Sequence, residues 1–137
     1  EELEKLVGEL KTLSQGAQVA AHTIIGENCL ICEDNNIQPF VEIKDNCILW
    51  SGNHIGHHSI VHEHCFISSH VVISGGVEVG ENTFIGVNST IRDHVKIGSS
   101  NVIGAGVLIL SNTNDNSVYM ERETEVSRVP SNRLRGL

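Results

Sequence analysis

The sequence predicts an all-β solenoid, a parallel β-helix of about five three-sided coils. Aliphatic residues recur at every sixth position over most of the 137-residue chain. Ile and Val together supply 30 residues, accompanied by 13 Gly, a composition typical of strands joined by turns. Only 4% of the residues are aromatic, so we expect a narrow core built from branched aliphatic side chains.

The six-residue period defines the coils, which we expect to span residues 19–114. The residue four places after each aliphatic is usually small or β-branched, so both positions should face one interior. A period of six suits a short strand plus a corner, and three such sides make a coil of eighteen residues. Sixteen consecutive steps of six are aliphatic: Val19, Ile25, Ile31, Ile37, Ile43, Leu49, Ile55, Val61, Ile67, Ile73, Val79, Ile85, Ile91, Ile97, Ile103 and Ile109.

The segments that flank the repeat have different patterns. Residues 1–18 are predicted to hold an N-terminal helix and a linker, because apolar residues recur at helical spacing among charges. Residues 115–137 are predicted to form a C-terminal strand and a basic tail, with a strand or hairpin over Ser117 to Val129 that ends at Pro130.

Charge and cysteine usage narrow the function classes. The net charge is −8, from 9 basic and 17 acidic residues, which disfavours binding to nucleic acid or to anionic membranes. No apolar run approaches the roughly 20 residues that a membrane span needs, so we expect a cytoplasmic protein without membrane insertion. Cys29, Cys47 and Cys65 lie eighteen apart, which predicts one inward column of core thiols rather than a redox or zinc motif.

Histidines form the most prominent cluster of chemically active side chains. Six of the eight lie between residues 54 and 70, and none occupies an inward hexad position. Imidazole titrates near neutral pH, which suits it to take a proton from a hydroxyl or an amine. The cluster therefore marks the candidate active site.

The repeat resembles that of the hexapeptide-repeat acyltransferases. Three stretches of the repeat resemble bacterial sugar acetyltransferases of the sialic acid O-acetyltransferase type: Leu49-Trp-Ser-Gly-Asn-His-Ile-Gly-His-His58, Cys65-Phe-Ile-Ser-Ser-His-Val-Val-Ile-Ser-Gly75 and Phe84-Ile-Gly-Val-Asn-Ser-Thr-Ile-Arg92. The tail Val129-Pro-Ser-Asn-Arg-Leu134 resembles the closing segment of the same family. The resemblance implies that the fold is a left-handed parallel β-helix. It also implies that the protein transfers acetyl from acetyl-CoA to a sugar or nucleotide sugar used in surface polysaccharides. It implies no metal.

The same resemblance assigns the catalytic residues. It implies that His57 is the general base, that His58 stands where an acidic residue usually follows, and that the backbone N–H of Gly75 binds the oxyanion. A carboxylate beside the base would raise its basicity, so we expect Glu63 or another carboxylate to substitute, or His58 itself to be the base.

The resemblance also implies a CoA site. The pantetheine arm would bond to the backbone of later coils, where Gly86, Gly104, Ala105 and Gly106 permit close approach. Arg133 and Arg135 are the cations available for the CoA phosphates, and the alternative is that they form a solvated tail.

An outward apolar stripe predicts association between subunits. It consists of residues eighteen apart: Leu30, Ile48, Phe66, Phe84 and Val102. An exposed stripe of this length favours a subunit interface, and the resemblance implies a homotrimer with active sites between subunits. The alternative is that the tail of the same chain covers the stripe.

Two other functions fit parts of the sequence. His57 and His62, five residues apart, resemble the metal segment of γ-class carbonic anhydrases, but Trp50 stands where that family has a His and zinc would need a third ligand, with His54 or His64 as candidates. The other alternative is a catalytically inert β-helix that serves as an oligomerisation scaffold.

Overall fold

In a computed structural model the chain is described from residue 16 to residue 136, and this stretch is a parallel β-helix. The helix expected in residues 1–18 falls almost wholly outside the described residues. A 3₁₀ helix spans Ser131–Arg133, and within residues 16–136 no helix has the length and hydropathy needed to cross a bilayer. Strands β1 to β17 are Gln18–Val19, Ile24–Ile25, Leu30–Ile31, Asn36–Ile37, Glu42–Ile43, Ile48–Leu49, His54–Ile55, Ile60–Val61, Phe66–Ile67, Val72–Ile73, Glu78–Val79, Phe84–Ile85, Thr90–Ile91, Lys96–Ile97, Val102–Ile103, Leu108–Ile109 and Val118–Tyr119.

The strands form three sheets, one on each side of a prism. Sheet 1 contains β1, β4, β7, β10, β13 and β16; sheet 2 contains β2, β5, β8, β11 and β14; and sheet 3 contains β3, β6, β9, β12, β15 and β17. Neighbouring strands in each sheet are parallel, and residues eighteen apart pair, as His54 does with Val72. The predicted fold class and the eighteen-residue coil are confirmed.

The core is the column of inward hexad positions. From Ile31 to Ile109 every aliphatic hexad residue is buried, and Val19 and Ile25 in the first coil are partly buried. The Phe and Trp rings lie outside this column, and Trp50 is 49% exposed. In the last strand Tyr119 pairs with Ile103 and packs against the core, partly buried. The full eighteen-residue coils therefore hold aliphatic and small side chains inside, and a ring enters only at the end of the column.

The three stacked cysteines are core residues, as predicted. Cys29, Cys47 and Cys65 are buried and unbridged, and the Cys29 thiol donates to the Lys44 carbonyl over 3.1 Å. A hydrogen bond with Cys47, together with burial, raises the pKa of Cys29. That thiol stays protonated and unreactive at neutral pH.

Corners impose an unusual backbone conformation on their second residue. Between residues 16 and 136, φ lies between +53° and +62° at 13 non-glycine positions, among them Asn28, Asp34 and His58. Only a few residue types adopt this left-handed region readily, chiefly Gly, Asn, Asp and His. Corner geometry thus accounts for five of the eight His residues.

The last coil is shorter than the others. Val118 pairs with Val102 at a spacing of sixteen residues, so the helix continues past residue 114, where the six-residue count ends. Beside it, the side-chain oxygens of Asn112 and Thr113 accept hydrogen bonds from the backbone of Lys96 and Gly98 at 2.9 Å.

The C-terminal strand predicted after the repeat is present, but it is much shorter than the predicted span of 117–129. Only Val118–Tyr119 forms a strand, and residues 120–136 are exposed. Charged residues interrupt the alternation after Met120, so no apolar face remains to pack on the helix.

Close stacking of coils predicts that Gly80→Ala destabilises the protein. A Cβ at Gly80 would lie 2.6 Å from the backbone of Gly98 and Ser99, so the coils must separate. We expect the free energy of unfolding to fall by about 2 kcal/mol, measured by chemical denaturation. Gly106→Asn is the control, because the space there is open and Asn tolerates the positive φ. Equal stability of the two variants would contradict the prediction.

Candidate active site

His57 is the first residue of the corner that joins sheet 1 to sheet 2, between β7 and β8. Its backbone N–H donates to Oε1 of Gln38 in the preceding coil over 3.0 Å, and its carbonyl accepts from the N–H of Gly76 in the next coil over 2.8 Å. The backbone is therefore held from both sides, whereas the imidazole is exposed to solvent.

The imidazole of His57 lies over Gly75, one coil further on. A Cβ added to Gly75 would be 2.7 Å from Nε2 of His57 and 2.8 Å from Cε1. Within residues 16–136, the N–H of Gly75 has no hydrogen-bond acceptor. One corner thus places an imidazole nitrogen beside a residue whose N–H has no acceptor, and these are the two groups that acyl transfer uses.

His58 contacts His57 directly. The Nδ1 atoms of the two rings are 3.1 Å apart, and the rings meet edge to face. The prediction that Glu63 acts as the carboxylate partner of His57 is wrong. The Glu63 carboxylate lies at the next corner, 3.9 Å from Nδ1 of His62. Corners six residues apart lie on different edges of the prism.

His57 differs from most other histidines in its backbone conformation. His22, His58, His64, His70 and His94 all have positive φ, a conformation in which His is enriched for backbone reasons alone. His57 is not among the residues with positive φ. The backbone therefore gives no reason for an imidazole at position 57.

The residues expected to contact CoA lie along the edge between sheet 3 and sheet 1. Gly86, Gly104 and Ala105 line a shallow hollow of about 400 Å³ with Phe84 and Val102. Gly106 follows Ala105 at the same corner and faces open space. The hollow is mostly apolar and offers backbone at close range, as a pantetheine arm requires.

Coil packing gives a second reason for one of these glycines. A Cβ at Gly86 would lie 2.7 Å from the backbone N of Ala105, so Gly86 is also needed to stack the coils. At Gly104 an added Cβ would first meet the side-chain carboxylate of Glu121, which can move aside.

Arg133 and Arg135 are exposed in the C-terminal segment. Neither lines the hollow, and neither forms an ion pair with another residue between 16 and 136. The structure does not bring them together with the other candidate residues.

Sequence reasoning missed two neighbours of the histidine pair. Gln38 bonds the backbone of His57, and Phe40 stacks on His58 with ring centroids 4.9 Å apart. Phe40 precedes His58 by eighteen residues, so the coil length was the signal that would have found it. Both residues belong to the coil below the site.

His62 belongs to a separate polar cluster. Its Nε2 lies 2.9 Å from Oε1 of Glu78, and the two line a hollow of about 340 Å³ with Lys96, Glu81 and Asp115. Among residues 16–136 no three His, Cys, Asp or Glu side chains are arranged to hold a metal ion. His57 and His62 have different partners at different corners.

Comparison with family models identifies the repeat. The model described as bacterial transferase hexapeptide (six repeats) matches residues 22–56, 40–75 and 76–111, about two thirds of the chain. The chain belongs to this family. No curated protein matches the sequence as a relative.

Solved structures similar to this hexapeptide-repeat protein share its fold. The acetyltransferase domain of PglB from Neisseria gonorrhoeae has a TM-score of 0.76 at 24% identity, with 78% of this chain and 52% of that chain covered. LpxA from Acinetobacter baumannii has a TM-score of 0.64 at 24% identity, covering 81% and 48%. PerB from Caulobacter crescentus, in complex with CoA and GDP-perosamine, has a TM-score of 0.50 at 22% identity, covering 78% and 52%. The hexapeptide-repeat chain spans about half the length of these structures.

Proposed function

We propose that this protein is an acetyl-CoA-dependent acetyltransferase that acts on a hydroxyl or amino group of a sugar or nucleotide sugar, in surface polysaccharide synthesis. The observation that carries the proposal is the position of His57 Nε2 over Gly75, beside an N–H without an acceptor. Family membership supports it, as does likeness of fold to the acetyltransferase domain of PglB and to PerB, which binds CoA and GDP-perosamine.

The two residues have complementary tasks in this reaction. Nε2 of His57 takes the proton from the acceptor hydroxyl or amine as the acceptor atom attacks the thioester carbonyl. The N–H of Gly75 donates to the oxyanion that forms. When the carbon–sulfur bond breaks, the His57 imidazolium returns its proton to the departing thiolate. The products are the acetylated acceptor and CoA, and the enzyme is unchanged.

Assembly as a homotrimer would complete the site. His57 lies at the edge between sheets 1 and 2, whereas the apolar hollow with Gly86 and Gly104 lies at the edge between sheets 3 and 1. One chain therefore cannot bring them together, but neighbouring subunits can. The apolar stripe on sheet 3 supports association, because the tail of the chain leaves Phe84 39% and Val102 43% exposed.

Replacing Phe84 with Glu is expected to weaken assembly. Burying an apolar ring at a subunit contact contributes about 2 kcal/mol, so its loss should raise the dissociation constant at least tenfold, as measured by analytical ultracentrifugation. Lys96→Glu is the control, since sheet 2 already presents charged side chains there, including Glu42 and Glu78. An unchanged dissociation constant in the Phe84 variant would contradict a subunit interface at the apolar stripe.

The function is tested by following release of free CoA thiol. The purified protein is incubated with acetyl-CoA and a panel of sugars and nucleotide sugars that carry free amino or hydroxyl groups, and CoA binding is measured by calorimetry. Acceptor-dependent thiol release is the expected result. Absence of both turnover and CoA binding would favour the inert scaffold.

A further inference from the structure

The contact between His57 and His58 constrains where their protons lie. With 3.1 Å between the two Nδ1 atoms, one nitrogen must donate and the other must accept. A neutral imidazole carries one N–H, so the donor at Nδ1 has an unprotonated Nε2. The direction of this hydrogen bond therefore sets which nitrogen of His57 is free.

Only one direction is compatible with His57 as a base. If Nδ1–H of His57 donates to His58, then Nε2 over Gly75 carries a lone pair and takes a proton. If His58 donates instead, Nε2 of His57 carries hydrogen and is blocked. A carboxylate partner would only accept, but an imidazole partner must be neutral and in the accepting tautomer.

The ring of His58 is braced by a stack of side chains. Phe40 packs parallel to it at 4.9 Å, and His22 packs on the other face of Phe40 at 5.1 Å. Phe40 has a φ of +62° and is the one large apolar side chain in the left-handed region among residues 16–136. That conformation is unfavourable for a bulky residue, and an aromatic ring kept in it at a functional site indicates a role for the ring.

We propose that His58 is a positioning residue that accepts a hydrogen bond from Nδ1 of His57 and so fixes the tautomer with a free Nε2, while Phe40 holds the His58 ring in place. The proposal rests on His57 being the base of the proposed reaction. It assigns His58 no contact with substrate. It also explains how the site works with an imidazole where a carboxylate was expected.

The decisive variant is His58→Phe. It keeps the ring that stacks on Phe40, and Phe already adopts the same backbone conformation at position 40, but it removes the acceptor. His22→Phe is the matched control, since it has a φ of +61° and stacks on the same ring without touching His57. We expect kcat to fall about tenfold in His58→Phe with KM unchanged, and no change in the control.

The tautomer is read directly by NMR. In protein labelled with ¹⁵N-histidine, two-bond ¹H–¹⁵N correlations should show His57 protonated at Nδ1 in the wild type and in His22→Phe, but mainly at Nε2 in His58→Phe. The His57 signals are assigned by their absence in His57→Ala. Protonation at Nε2 in the wild type, or equal kcat in both Phe variants, would overturn the proposal. Because the spectrum needs no turnover, it still decides the tautomer if acetyl transfer is absent and the proposed function fails.

Phe40→Asn tests whether the Phe40 ring is needed to hold His58 in place rather than to stabilise the fold. Asn relieves the unfavourable backbone conformation, so stability should equal or exceed that of the wild type, while kcat should fall about threefold as the His58 ring loses its support. A fall in kcat accompanied by unfolding, or no fall at all, would contradict the bracing role.

Discussion

His57→Ala is expected to lower kcat for acetyl transfer by about a thousandfold, because a positioned general base contributes roughly 10² to 10⁴ in rate. Stability should not change, since the imidazole is exposed and the hydrogen bonds at this corner use the backbone of His57. KM for acetyl-CoA should also be kept. Steady-state kinetics and thermal denaturation of the same preparations measure the three quantities.

His62→Ala is the control for loss of an imidazole. It lies five residues along the chain, pairs with Glu78 and belongs to another corner, so we expect kcat within about threefold of wild type. Activity of the His57 variant within severalfold of wild type would show that this residue is not the base.

Gly75→Ala is expected to lower kcat by about a hundredfold without loss of stability. The new methyl group would overlap the outer atoms of the His57 ring, and a flexible, exposed ring turns away at little cost. Gly75 has no positive φ, so alanine fits its backbone. Circular dichroism and kinetics measure the two effects.

A double-mutant cycle shows whether Gly75→Ala acts through the ring. In a His57→Ala background the added methyl group has nothing to displace, so it should have no further effect on rate. An undiminished effect in that background would instead indicate damage to the oxyanion donor.

The body of the fold was predictable because each coil must bury the next. An inward aliphatic residue is required once per side, so the spacing from Val19 to Ile109 specified sixteen of the strands. The last coil was not predictable. The side-chain oxygens of Asn112 and Thr113 accept the N–H groups of Lys96 and Gly98, while the Thr113 N–H still donates to the Lys96 carbonyl. The count of six does not apply where side chains take over part of the backbone pairing.

The coil length predicts which residues of the site stack on one another, but nothing further about the site. A spacing of eighteen stacks Gly75 on His57, so their juxtaposition follows from the repeat. The hydrogen bond between His57 and His58 depends on side-chain rotation at one corner, which a periodic pattern does not encode. Glu63 was wrongly expected to contact His57, because residues six apart in the sequence lie at different edges of the prism.

The irregular last coil also limits how the molecule grows. A solenoid whose final strands leave N–H groups unpaired offers a template on which another copy can add end to end, as in a fibre. Here the side chains of Asn112 and Thr113 occupy the N–H groups of Lys96 and Gly98. On sheet 2, therefore, these two N–H groups are closed to pairing with a strand of another copy.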